Sequence, residues 1–226
     1  MKLTLLTLLI VFASRVTAIA QDKMVIKTDY GGTTGYEDCD REISSLNKLP
    51  HFIRVDIDSL LKHTLGEFAA GVKFSHGQIV NVKKYFSKDD GQPSDYKWVV
   101  PKYDLKFALQ DTTIGITNYC LEIRLDQYGQ LLKINWPGRG YKSKSIFLDR
   151  NLIKDFALSK AADLNFYQKD YEVNFQYDNQ KEQFYWVFLF PADLSNKDNK
   201  QYYCIEVNWA NMNDFIVTIV DKTIFY

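Results

Sequence analysis

The sequence predicts an α+β protein built as two tandem copies of one unit, each a helix followed by a four-stranded antiparallel meander. Two observations carry this. First, "YCLEIRLDQYGQLLKINW" from Tyr119 and "YCIEVNWANMNDFIVTIV" from Tyr203 write one pattern twice: aromatic, cysteine, aliphatic, glutamate, aliphatic, then a turn and a second apolar run. Second, each stretch follows an amphipathic helical segment and two strand-like segments in the same order. The two Tyr-Cys pairs lie 84 positions apart, a period too long for a solenoid and suited to a small α+β unit.

The first element along the chain is a leader. Lys2 supplies a positive start, Leu3 to Ala13 an apolar stretch shorter than the roughly 20 residues of a membrane span, and "AIA" before "QD" the small residues of a cleavage site. Residues 1–20 therefore read as a signal peptide, with the exported chain starting near Gln21. No cysteine stands at the cleavage point to carry a lipid, and no transmembrane segment is expected after cleavage. Residues 21–49 hold "DYGGTTGYEDCDRE" and read as an irregular N-terminal extension with one short strand at "KMVIKT".

The first copy spans 50–137. Its helix is "DIDSLLKHTLGEFAA", with Leu60, Leu61, Leu65 and Phe68 on one face, and its strands are "VKFSHGQIVNVKKYF", "WVVPKYDLKFAL", "NYCLEIRLD" and "GQLLKINW". Between the first two strands, "DDGQPSD" lacks the ligand spacing of a calcium loop and reads as a hairpin turn. Residues 138–146, within "WPGRGYKSKS", read as a linker on their glycine and basic content. The second copy spans 147–226. Its helix puts Leu148, Leu152, Ile153, Phe156, Ala157 and Leu164 on one face with Asp149 as cap. Its strands are "YEVNFQYD", "QFYWVFLFP", "QYYCIEVNW" and "DFIVTIVDKTIF". Short connections between strands favour the antiparallel meander.

Composition narrows the function classes. Lys plus Arg equals Asp plus Glu at 28 each, so the formal net charge is zero, and a nucleic-acid partner, which demands concentrated positive charge, is not expected. At 46% hydrophobic and 15% aromatic the chain has the material for a packed core. Three cysteines, Cys39, Cys120 and Cys204, allow at most one intramolecular disulfide. Cys120 and Cys204 hold equivalent positions, so either they bridge the copies or they are small residues inherited by duplication. His63 and Glu67 are four apart on the predicted helix, a spacing that places two metal ligands on one face, but no third ligand accompanies them and no metal or cofactor is expected. No nucleophile elbow, metalloprotease helix or phosphate loop is written in the chain.

Alternation sorts the faces. With Tyr119, Leu121, Ile123 and Leu125 inward, Cys120, Glu122 and Arg124 point away, joined by Lys102, Asp104, Lys106 and Lys133, and this side reads as a solvated charged face. In the second copy Phe184, Trp186, Phe188 and Phe190 fill the core, while Tyr185, Val187 and Leu189 point outward beside Cys204, Glu206 and Asn208. An apolar strip on such a face calls for a cover, either the rest of the chain or a partner. Tyr185, Val187, Leu189, Glu206, Glu122 and Arg124 are the candidate binding residues.

A helix followed by four antiparallel strands, doubled in a small exported chain rich in Tyr, Phe, Lys and Asn, resembles the PepSY-like group, which includes the tandem β-lactamase-inhibitor-protein fold. The resemblance runs from about Val55 onward and lies in element order. Asp126 and Gly129 approximate the aspartate and glycine turn such units place between their last strands; the second copy has Asn213 and Asp214 there. Taken with the doubled fold, the apolar strip and the missing catalytic constellation, the expectation is an exported, non-enzymatic binding or inhibitory module that engages a protein or peptide through a sheet face. The alternatives are a structural cell-envelope protein, or an enzyme whose carboxylates or histidines converge only in three dimensions.

Overall fold

A computed structural model describes residues 36, 39–88, 100–138, 142–192 and 199–223. The leader and its cleavage point, the "KMVIKT" strand and the "DDGQPSD" turn lie outside the described residues. Among those described, the chain is mixed α+β with two antiparallel sheets. The first sheet runs β1 (Asp40–Ile43), β2 (Val72–Val80), β3 (Tyr103–Asp111), β4 (Ile116–Leu125) and β5 (Leu131–Ile134) in chain order. The second runs β6 (Glu172–Asp178), β7 (Gln183–Pro191), β8 (Asn199–Asn208) and β9 (Phe215–Thr223), also in chain order.

Helix α1 (His51–Leu65) begins five residues before the expected Asp56. Ile53 and Ile57 are fully buried and extend its apolar face towards the N-terminus, while Pro50 sits just ahead of the first turn, where a missing N–H costs nothing. Gly66 stops the helix at φ +56°, and a Cβ there would lie 2.5 Å from the Lys142 carbonyl oxygen, so glycine is required both by the backbone angle and by the strand of chain packed against it. Phe68 is buried in the 3-10 turn that follows.

Two elements differ from the sequence reading. The run expected as one strand through Phe86 ends at Val80, and helix α2 (Val82–Lys88) follows. Asn81 explains the switch: its side-chain Oδ1 accepts the Lys84 N–H at 3.1 Å, capping the helix as asparagine prefers to do. Strand β1 lies in the segment read as irregular. It is held by pairing with β2, and next to it Tyr36 and Cys39 pack with Val80 and Val100.

Helix α3 (Arg150–Asp163) carries the expected cap, Asp149 accepting from the Asn151 and Leu152 N–H groups at 2.8 and 3.2 Å. Ile153, Ala157 and Ala161 form its buried seam. Leu152 and Leu164, expected on that face, are exposed; the i, i+4 spacing of the seam leaves them to one side.

The two halves do not keep separate cores. One continuous cluster joins α1 and the inner face of the first sheet to α3 and the inner face of the second. At its centre the Tyr119 ring meets Phe175 and Phe184 edge-on, Trp136 meets Phe68 and Phe184, and Phe147 meets Phe68 and Trp209. The stretch read as a linker is fastened down where it is described: Glu67 Oε2 accepts from the Lys144 N–H at 2.8 Å, and Lys144 Nζ lies 2.5 Å from Asp111 Oδ2.

Candidate functional site

The outward face of β3 and β4 is built by register. Asp104 stands opposite Arg124, Lys106 opposite Glu122 and Ala108 opposite Cys120, while Lys133 of β5 stands opposite Arg124. The intervening residues Leu105, Phe107, Leu121 and Ile123 go to the core, so alternation alone brings five charged side chains together. They are not solvated as expected. The side chains of Asp104, Glu122 and Lys106 are 5, 13 and 15% exposed, which makes this a buried network rather than a wet face.

Glu122 is its centre. Its Oε1 lies 2.7 Å from Lys106 Nζ and 2.6 Å from Arg124 Nη2, and its Oε2 lies 3.4 Å from Lys133 Nζ. Arg124 Nε lies 3.1 Å from Asp104 Oδ2, and the same oxygen accepts from the Tyr36 hydroxyl at 3.1 Å. Burial pushes the Glu122 carboxyl up, but the Lys106 hydrogen bond and the charges of Lys106, Arg124 and Lys133 outweigh it and hold the group below the usual glutamate value. For Arg124 burial works against the charge, and Asp104 and Glu122 reverse it, raising the pKa.

Beside this network the chain leaves the sheet. After Ile134 the side chain of Asn135 continues the ladder, its Oδ1 accepting the Glu122 N–H at 2.6 Å and its Nδ2 donating to the Cys120 carbonyl at 2.9 Å. The Tyr119 hydroxyl donates to the Asn135 carbonyl. Because the chain turns away there, a cleft of about 270 Å³ opens between the first sheet and β6. Lys106, Glu122, Lys133 and Asn135 line one side, Gln176, Tyr177 and Asn179 the other, and Cys120 lies in its wall. The sequence reading found Glu122 and Cys120 but not Asn135 or the β6 side. A signal for Asn135 was present: Asn-Trp recurs at 135–136 and 208–209, and Asn208 likewise ends a strand with its side chain turned back to the backbone, accepting the Ala210 N–H at 2.9 Å.

The other candidate residues are placed elsewhere. Tyr185, Val187 and Leu189 do point away from the shared core, as alternation predicts, but they are buried in a second small cluster with Tyr202 and Cys204. They do not form an open surface. Tyr185 donates to Asp214 Oδ2 at 3.1 Å and lies under Lys181 Nζ, 4.5 Å from the ring centre. Glu206 stands between Val187 and Ile216 in the ladder on this same face, 4.0 Å from the Cys204 sulfur. Glu122 and Glu206, equivalent in sequence, are thus unlike in setting.

Cys120 and Cys204 are free thiols, and the bridge weighed between them is not formed. Cys120 faces outward on the first sheet and Cys204 on the second, each in its own set of neighbours. Burial raises the pKa of both, that of Cys204 to about 11 with Glu206 adding to the effect. His63 and Glu67 do not share a helical face, because α1 ends at Leu65 and Glu67 is turned to Ser143 and Lys144. His76 lies on β2 beside Ser75. Among the described residues no group of three or more His, Cys, Asp or Glu is arranged to hold a metal ion, and no helix is long and apolar enough to cross a membrane. Compared with models of known families, with curated proteins and with solved structures, the chain matched none.

Proposed function

We propose that the chain is an exported, non-enzymatic binding or inhibitory module, a PepSY-like doubling of one α+β unit, that takes a segment of a protein or peptide into the cleft between its two sheets. The observation that carries this reading is the chemistry of that cleft. Lys133 stands at its mouth with a side chain 41% exposed and a loose 3.4 Å contact to Glu122, so a carboxylate on an incoming segment has a cation to take. Gln176 and Asn179 add neutral donors and acceptors across the gap. The volume is slightly below the lower end of drug-sized pockets, about 300 Å³, and suits one or two side chains of a longer ligand.

The buried ion network behind Lys133 supports the same reading, since it fixes Glu122 and Lys106 in place before any ligand arrives and lowers the ordering cost of binding. Capture from an envelope extract tests it. Lys133→Glu and Gln176→Glu are each expected to abolish retention of the partner while leaving the far-ultraviolet circular dichroism unchanged; retention equal to that of the natural chain by both variants would remove the cleft as the binding site. Export is read from the N-terminus of the protein recovered outside the cytoplasm, expected at Gln21.

A further inference from the structure

Where the first half of the chain meets the second, a separate open hollow of about 650 Å³ is lined by none of the residues of the cleft. One wall is the 3-10 turn between β3 and β4, Thr112–Ile114, with Gly115 after it. The other runs from Lys144 into the first turn of α3. Most of the polar groups here are already committed. Asp111 Oδ1 accepts the Thr113 N–H and hydroxyl, and Asp111 Oδ2 holds Lys144 Nζ. Ser145 pairs with Ser143. Asp149 takes the Asn151 and Leu152 N–H groups, so the end of α3 has little left to offer a ligand.

Arg150 is the exception. Its Nε is buried and donates to nothing, and among the described residues no group pairs with the rest of its guanidinium. Arg54 and Arg124 also bury Nε, but each head group has a partner, Asn47 for the first and Asp104 with Glu122 for the second. Buried donors without a partner are few in folded proteins, and each one asks for a reason. The stem of Arg150 is seated rather than loose. Gly115 has φ +80°, and a Cβ there would collide with Arg150 Cδ, so the side chain lies against a position where only glycine leaves room. An unpaired cation is thus held in the wall of a hollow large enough for a small molecule.

We infer that this hollow binds a small monocarboxylate, its carboxylate taken by the Arg150 guanidinium and its short hydrocarbon body laid against Ile114, Phe147 and Leu148. Charge sets the ligand class. Lys144 is answered by Asp111, and Asp149 is answered by the end of α3. One positive charge is left over, which matches one negative charge. A phosphate dianion would set its second charge against Asp111 and Asp149 with no further free cation to meet it. A guanidinium fork meets a carboxylate through two parallel hydrogen bonds, a geometry that an ammonium does not offer. Ile114, Phe147 and Leu148 line the same hollow and are each partly exposed, so an apolar body has a surface to cover. The volume falls within the range of small-molecule pockets, about 300–1,000 Å³. Both halves of the chain line the hollow, so the ligand would sit on the joint between them. The inference is independent of the cleft.

Titration of the nitrogen-15-labelled natural chain with sodium hexanoate, followed by nuclear magnetic resonance, tests this. The Gly115 amide and Arg150 Nε–H signals are expected to shift together and to saturate with a Kd of about 1 mM or tighter. Hexanamide, which has the same shape without the charge, and inorganic phosphate are each expected to bind at least about tenfold more weakly. Arg150→Gln is expected to weaken hexanoate at least about tenfold, and Arg150→Lys, which keeps the charge but not the fork, to recover part of the loss. Arg150 has no partner among the described residues to lose, so both variants are expected to fold. N-acetylleucine separates two sources of the carboxylate: tighter binding of hexanoate assigns a free acid, and tighter binding of N-acetylleucine the end of a peptide. Hexanoate shifts that do not saturate, equal binding of hexanamide, tighter binding of phosphate, or an affinity unchanged in Arg150→Gln each overturns the inference. Should Arg150→Gln fail to fold, the comparison of hexanoate with hexanamide on the natural chain decides.

Discussion

Lys106 Nζ lies 2.7 Å from Glu122 Oε1 across β3 and β4, and the pair is closed off by Arg124, Asp104 and the Tyr36 hydroxyl. A carboxylate held this way stabilises the fold in a pH-dependent manner whose sign follows from its shift. Its folded pKa is lowered, so the contribution is complete above the unfolded glutamate value of about 4.3 and is lost as pH falls through the lower folded value. Glu122→Gln removes the charge and leaves Lys106 and Arg124 short of a partner, at a cost of about 3 kcal/mol near neutral pH. Urea denaturation at pH 7 and again at pH 3 measures both statements: the gap between the natural chain and the variant is expected to be wide at pH 7 and to narrow at pH 3. An equal gap at both would show that the network contributes through packing rather than charge.

The thiols give a second prediction. Cys204 is buried and its pKa stands at about 11, so the thiolate, which is the reactive form, is scarce in the folded protein at any ordinary pH. Cys120, half-buried beside Lys106 with a pKa also raised by burial, is expected to react slowly. Alkylation at pH 8 without reductant, followed by mass spectrometry, is expected to label Cys120 partly and Cys204 negligibly in the folded chain, and all three cysteines once urea is added. A Cys120 to Cys204 bridge found in the same experiment would require the two outward faces to meet, and the arrangement of the sheets would have to be redrawn.

How much of this was legible in the sequence depends on what each residue's neighbours had to say. β7 follows the written run "QFYWVFLFP" to the residue, because a continuous apolar run of strand length marks its own extent. Asp149 as the cap of α3 was equally plain, a local signal answered by local bonds. By contrast "VNVKKYF" alternates like a strand, and only the cap bond from Asn81 turns it into a helix. The charged face was located correctly but its character was not: Lys106, Glu122 and Arg124 make the same alternating pattern whether they stand in water or pair with one another. Nor does an apolar pattern say what an inward residue touches. Tyr119, Trp136, Phe175 and Phe184 would read identically in two private cores or in one shared core.

That last distinction can be measured. Phe184 is fully buried and its ring meets those of Tyr119, Trp136, Phe175, Tyr177 and Trp209, residues contributed by both halves of the chain. Removing it opens a cavity at the seam, and Phe184→Ala is expected to cost about 3–5 kcal/mol. If the halves were independent units, the loss would fall on the second alone, and denaturation would split into a shifted transition and an unshifted one. Because one cluster spans both sheets, the whole loss is expected to fall on a single cooperative transition, with tryptophan fluorescence and circular dichroism moving together in urea. Separate midpoints for the two probes in the variant would mean that the contact between the halves contributes little and that each folds on its own.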